Sequence, residues 1–271
     1  MTHRFLAVVS DTHLRADRAS ADTLRAALAV LEAGARPDAL LLPGDLAADG
    51  DPGAYRLLRE LVDPVATRLG VPVVPVLGNH DERAAFRTGW GADGDPGAPW
   101  DTTTRVGGLR IAVLDSTVPG HHHGELGPAQ LERLRAQLAS PAPEGTVLVL
   151  HHPPLPSPVP SVDLLRLRGV EKLADVLAGS DVRMIVCGHA HYAGAGALAG
   201  VPVWIAPALI YGVDALPPAG RLRGLSGPAI SRVDLVEGTA VATAVPLGGE
   251  PVYDVDAAER VAWMRERIPA P

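Results

Sequence analysis

Five short apolar runs in this chain of 271 residues each stop at a small cluster of His, Asp and Asn, and that repeated punctuation constrains the fold more than any other feature. Residues 5–9 run into Asp11-Thr-His13, residues 39–42 into Gly44-Asp45, and residues 71–77 into Gly78-Asn79-His80-Asp81. Residues 146–150 run into His151-His152-Pro153, and residues 183–187 into Gly188-His189-Ala190-His191. Runs this short and this rich in Val, Leu and Ile read as strands buried on both faces. In an open α/β sheet the carboxyl ends of parallel strands line one crevice. Five such strands would bring all five clusters to a single site.

Helical patterns separate the runs. An amphipathic stretch at 20–34 has Ser20 and Asp22 as candidate caps, and 51–69 carries Pro52 in its first turn. Pro128–Leu138 and 170–178 are further helices. The run 71–77 carries Pro72 and Pro75, which places it at a sheet edge, and 109–114 is another strand. Residues 83–101 are rich in Gly, Asp and Pro and read as an irregular excursion over the surface. After Gly188 the pattern is β-only, at 193–198, 201–205, 230–236 and 240–245, which points to an α/β core completed by a second sheet. Residues 1–248 form one domain on this reading, and 249–271 a C-terminal extension with a helical pattern at 257–268.

Composition narrows the function. Hydrophobic residues at 47% and charged residues at 20% describe a globular chain, and aromatics at 4% leave the core to aliphatic side chains. A net charge of −7 without any Lys/Arg run argues against a nucleic-acid polymer as partner. The single cysteine, Cys187, excludes a disulfide framework and a cysteine-built zinc site, and its apolar neighbours make it a small core residue. No apolar stretch is long enough to span a membrane or to serve as a secretory signal, so the expected location is cytoplasmic.

Imidazole and carboxylate donors without thiolate suit Zn, Fe or Mn. Each cluster alone is ordinary, since a lone Asp-x-His or Gly-Asp is more often a turn. Together they offer more N and O donors than one tetrahedral ion needs, which argues for two ions sharing a bridging carboxylate. The glycines before Asp45, Asn79 and His189 let the chain turn sharply and bring side chains close to an ion.

The order Asp-x-His, Gly-Asp, Gly-Asn-His-Asp, His, Gly-His-x-His resembles that of the calcineurin-like metallophosphoesterases over residues 11–191. Gly44-Asp-Leu-Ala-Ala-Asp-Gly, Val118-Pro-Gly-His-His-His-Gly-Glu125 and His151-His-Pro-Pro154 look like the class III cyclic-nucleotide phosphodiesterases within it. The resemblance implies a four-layered αββα sandwich of two mixed β-sheets flanked by helices, and a homodimer. It implies two divalent or mixed-valence ions, Fe, Mn or Zn, one held by Asp11, His13, Asp45 and His191 and the other by Asp45, Asn79, His151 and His189. A ligand followed by one residue and proline is the family pattern, which selects His151 over His152, although the residues themselves leave the reverse open. His80 occupies the position that contacts phosphate and assists the leaving oxygen, beside Asn79.

Two divalent ions would face only the carboxylates of Asp11 and Asp45, so the centre stays electropositive inside an acidic chain and attracts phosphate. The implied reaction is hydrolysis of a small phosphodiester, 3′,5′-cyclic nucleotides (cAMP/cGMP), by hydroxide bridging the ions rather than through a phosphoenzyme. The same centre would serve a phosphomonoester, a glycerophosphodiester, a 2′,3′-cyclic nucleotide or a nucleotide-linked lipid. A non-catalytic interaction module would be expected to lack some of these residues. His121, His122 and His123 suit a substrate contact, the rim of the cleft, adventitious metal binding or a solvated loop. Asp81 suits an orienting role at His80 or a helix cap, and Asp49 and Asp51 suit the acidic start of a helix.

Overall fold

The computed structural model describes residues 3–17 and 19–268. In chain order the elements are β1 (His3–Val8), a 3-10 turn at Ala19–Ala21, α1 (Asp22–Ala33), β2 (Ala39–Pro43), α2 (Pro52–Leu69), β3 (Val73–Val76) and α3 (Arg83–Trp90). There follow β4 (Thr102–Val106), β5 (Leu109–Val113), α4 (Pro128–Leu138), β6 (Thr146–Val149), α5 (Pro160–Asp163), α6 (Val170–Leu177) and β7 (Val182–Cys187). The rest are β8 (Gly194–Leu198), β9 (Val201–Ile205), β10 (Gly212–Val213), β11 (Gly224–Leu225), β12 (Ala229–Val236), β13 (Thr239–Pro246) and α7 (Ala257–Arg265).

Two large mixed sheets carry the fold, in the orders β13-β12-β1-β2-β3 and β4-β5-β6-β7-β9-β8, beside a small β10-β11 ribbon. Within them β1, β2 and β3 are parallel, as are β5, β6, β7 and β9. The period-two alternation of a strand divides its side chains between faces. Phe5, Ala7 and Val9 pack against Leu24, Leu28 and Leu31 of α1 and Leu58 and Val62 of α2, while Leu6 and Val8 face Ile111, Val147 and Val149 of the second sheet. On the far side Leu148, Leu150 and Ile185 meet Leu134 and Leu138 of α4 and Leu173 and Leu177 of α6. The layers are therefore helix, sheet, sheet, helix.

Several local expectations change. The β-only region does not build the second sheet by itself, because β12 and β13 extend the first sheet and β8 and β9 the second. Residues 83–101 begin with a true helix, α3, capped by Glu82, whose carboxylate accepts from the amides of Ala84 and Ala85. Neither Ser20 nor Asp22 caps α1: Ser20 bonds back to the 15–17 loop, and Asp22 lies inside the first turn paired with Arg25. Asp51 does cap α2, accepting from Gly53 N at 2.6 Å, and Asp49 pairs with Arg15. The proline-bearing β3 lies at a sheet edge, where a missing amide donor costs the ladder least. Cys187 is a free, buried core residue. Among the described residues, no helix is long and apolar enough to cross a membrane.

Candidate metal centre

The chain beyond β1 supplies Asp11 and His13, that beyond β2 Asp45, and that beyond β3 Asn79 and His80; β6 and β7 of the other sheet lead to His151, His189 and His191. The loops keep pairing after the strands end. Asp11 N donates to Gly44 O, His13 N to Asp45 O and Leu14 N to Leu46 O, while in the other sheet Gly188 N reaches His151 O. Three glycines make this approach possible. A Cβ on Gly44 would fall 2.3 Å from His151 Nδ1, one on Gly78 2.2 Å from Asp45 Oδ1, and one on Gly188 2.2 Å from Ser10 Oγ. Only Gly44 of the three also has a positive φ, +95°. At Gly78 and Gly188 the requirement is space rather than a sharp turn.

The backbone itself marks the site. Among the described residues seven non-glycine residues have positive φ, and five of them are Asp11, His13, Asp45, His189 and His191. The other two, Ala199 and Glu237, precede Gly200 and Gly238 in the turns of the β8–β9 and β12–β13 hairpins. A non-glycine residue held in the left-handed region costs about 1 kcal/mol or more and persists where its surroundings enforce it, commonly at functional sites. Here the enforcing bonds are those of the paired loops and the amide of His189, which donates to Asp11 Oδ1 at 3.0 Å.

The donor atoms fall into two groups. In the first, His13 Nε2 lies 3.2 Å from His191 Nε2 and 3.4 Å from Asp45 Oδ2, and His191 Nε2 lies 3.5 Å from Asp11 Oδ1. In the second, His151 Nε2 lies 3.4 Å from Asp45 Oδ1, 3.3 Å from Asn79 Oδ1 and 3.2 Å from His189 Nδ1, and the last is 2.9 Å from Asn79 Oδ1. Donors about 2.0–2.2 Å from one ion lie about 3–3.5 Å apart, so both groups have the spacing of an ion's ligands. The two oxygens of Asp45 face one group each. The donor set thus fits a binuclear centre of divalent ions.

Hydrogen bonds aim the rings. His151 Nδ1 donates to Pro43 O at 2.8 Å and His191 Nδ1 to Tyr211 O at 3.2 Å, which leaves each Nε2 directed at the donor groups. His152 lies close enough to His151 and His189 to form a cluster with them. Its ring nitrogens face other partners, Nδ1 with Ser116 Oγ at 2.8 Å and Nε2 with His122 O at 3.2 Å. Asp81 takes neither role expected of it. Its carboxylate accepts from the amides of Leu46, Ala47 and Gly78 and from Tyr55 Oη, locking the Asp45 loop to the Asn79 loop. Of the histidine run, His122 reaches the centre, its Nδ1 3.3 Å from Asn79 Nδ2, while His121 and His123 pair with each other at the rim.

Burial pushes His13 and His189 down, and the charge of nearby His151 helps bring His189 to about 3, so both rings are neutral and able to bind metal. His151 is the exception. Burial opposes its charge, but the Asp45 carboxylate outweighs burial and raises the ring to about 9. Asp45 is held well below the usual carboxylate range, because His151 overrides its own burial. In the metal-free protein at pH 7.5 a proton therefore occupies His151, and an ion binding at its Nε2 would have to displace it. Titration calorimetry of the apo-protein with Mn²⁺, in buffers of different ionisation enthalpy, should read about one proton released per chain, and affinity should rise with pH up to about 9. A release of zero at pH 7.5 would place the His151 nitrogen outside the ligand set.

The calcineurin-like phosphoesterase model matches residues 6–193, the span holding every donor above. The chain belongs to the calcineurin-like phosphoesterase family. It is thus a hydrolase of phosphate esters, built on two mixed sheets with the family's His/Asp centre at their seam. Among curated relatives, a probable cyclic nucleotide phosphodiesterase of Rhodococcus erythropolis is 43% identical over 277 residues, covering 97% of this chain and 92% of that protein. A cAMP/cGMP dual specificity phosphodiesterase of Mycobacterium tuberculosis is 46% identical over 219 residues, covering 80% and 69%. The crystal structure of a dimetal phosphatase from Danio rerio shares the fold, with a TM-score of 0.62 at 17% identity over 90% of this chain and 96% of that one.

Proposed function

We propose that this chain hydrolyses 3′,5′-cyclic nucleotides at two metal ions, one held by Asp11, His13, Asp45 and His191 and the other by Asp45, Asn79, His151 and His189. The observation that carries the reading is Asp45, whose two oxygens face the two donor groups. The substrate rests on the two relatives above, whose names specify cyclic nucleotides and which this chain matches at 43% and 46% identity. Two divalent ions, when bound, supply Lewis acidity at the phosphoryl oxygens and a nucleophilic water at neutral pH.

The chain's residues do the rest. Asn79 presents its oxygen to the second donor group and its amide nitrogen to His122. His80 gives Nδ1 to Ala48 O at 2.9 Å, which leaves Nε2 of this exposed ring to meet the substrate and protonate the departing oxygen. His151, with Nε2 turned inward, is the ligand of the His-His pair, and His152 braces the 116–122 loop.

The same reading carries Fe, Mn or Zn as the metals, a homodimer and a cytoplasmic location, the last fitting a chain whose one cysteine is buried and free. It also carries a domain over 1–248 with an extension over 249–271, since every described side chain from 249 to 268 is exposed. Residues 1–2, 18 and 269–271 of those spans lie outside the described residues. The test is hydrolysis of 3′,5′-cAMP, 2′,3′-cAMP and bis(p-nitrophenyl) phosphate beside p-nitrophenyl phosphate, with Mn²⁺ and with chelator. Chelator-sensitive turnover of 3′,5′-cAMP is expected. Turnover of the monoester alone would make the protein a phosphatase.

A further inference from the structure

A hollow of about 270 Å³ opens beside Asn79, between the start of α3 at Glu82 and Arg83, the loop at Pro96 and Gly97, and the loop at Val118 and Pro119. We propose that it seats the nucleoside of the substrate, base and ribose together, and is closed to a second phosphate. This rests on the phosphodiesterase reading for its phosphate, and it identifies what the rest of the substrate must be.

Position comes first. Asn79 is common to the hollow and the centre, with Oδ1 directed at His151 and His189. A phosphate at the donor groups leaves its ester substituent free to run along Asn79 into the hollow. The volume lies just below the usual range of small-molecule sites, about 300–1,000 Å³, and matches a single nucleoside better than a polymer. A roomier hollow of about 580 Å³ between α2 and Gly91 touches none of the donors.

The walls are held in place. The Arg83 guanidinium donates to Asp115 Oδ2 at 2.9 Å, to Gly97 O at 3.1 Å and to Thr117 O at 2.9 Å, so one side chain ties all three wall segments together. Asp115 is fully buried and also accepts from the amides of Trp100 and Thr117.

Charge decides the class of occupant. Arg83 is neutralised by Asp115 and its donors are engaged, while two carboxylates, Asp81 and the α3 cap Glu82, also line the hollow. An anion such as a second phosphate is repelled there, whereas an uncharged base and ribose are not. Pro96, Val118 and Pro119 offer apolar surface to the face of a flat ring. A nucleoside satisfies all three conditions.

The test fills the hollow and reads binding. Gly97 accepts a side chain, since a Cβ there meets only Asp95 Oδ1, at an ordinary 3.6 Å. Titration calorimetry of the Mn²⁺-loaded protein would compare 5′-AMP with inorganic phosphate for wild type, Gly97→Phe and Val118→Trp. Wild type is expected to bind 5′-AMP about tenfold or more tighter than phosphate, and both variants to lose that advantage while phosphate affinity stays within about twofold. The proposal is overturned if 5′-AMP keeps its advantage in both variants, if wild type shows none, or if phosphate weakens in step. A protein that binds 5′-AMP through the hollow yet leaves 3′,5′-cAMP intact would sink the phosphodiesterase reading alone. Hydrolysis of 3′,5′-cAMP without the binding advantage would sink only the assignment of the hollow.

Discussion

Asp45→Ala is expected to empty both halves of the centre at once. The two carboxylate oxygens lie 3.4 Å from His13 Nε2 and 3.4 Å from His151 Nε2, so this side chain is the one member common to both donor groups. Asp45 Oδ1 also accepts the amide of His80 at 3.0 Å, which holds the Asn79-His80 turn against the β2 loop. Removing the carboxylate takes a ligand from each ion and the counter-charge from His151, which is fully buried. Losing one preorganised electrostatic contact in a site costs about 10²–10³ in turnover, so loss of two ions should cost about 10³-fold or more. Metal analysis of the purified variant should find almost none, against two per chain in wild type. One ion retained per chain would mean that Asp45 serves a single site.

His80→Ala should separate chemistry from metal binding. The His80 ring lies beside that of His13, with centroids 4.8 Å apart, yet it belongs to neither donor group, and its Nδ1 is engaged by Ala48 O. Deleting it removes a proton donor for the leaving oxygen while leaving the ligand atoms in place. General acid catalysis contributes about 10²–10⁴, and kcat should fall by that order with metal content unchanged. A leaving group that needs no proton, such as p-nitrophenolate, should lose far less than 3′,5′-cAMP. Equal losses on both substrates, or loss of metal, would remove His80 from the acid role.

The sequence carries the donors and the strands clearly, because an apolar run ending in Asp, His or Asn is local information. Residues 5–9 and 146–150 read as strands for the same reason that Asp11 and His151 stand out after them. What it hides is tertiary. Nothing in residues 230–245 says that they pair with β1 rather than form a sheet of their own, since strand order is set by packing across the sandwich. The helix α3 is masked by Gly89 and the Gly/Asp/Pro composition after it, and its cap, Glu82, is a residue type that caps less often than Asp or Ser. The strand β4 is hidden too, because Thr102–Val106 is no apolar run and only alternates between half-buried and exposed positions. The roles of Asp81 and Arg83 are likewise invisible, because they act through backbone groups distant in sequence, Leu46 and Ala47 for the one and Gly97 and Thr117 for the other.

The seam has a consequence for tolerance to change. Three of the five donor-bearing strands belong to one sheet and two to the other, so the ligand cage is only as accurate as the alignment of two stacked layers. Metal–ligand distances are held to about 0.2 Å, far tighter than the slack of an ordinary aliphatic contact. The interior side chains Val8, Leu41, Val149 and Val186 therefore act as spacers that calibrate a machine tool, not merely as filler. A core substitution mild enough to leave the fold intact can still detune both ions together, from a position that touches neither.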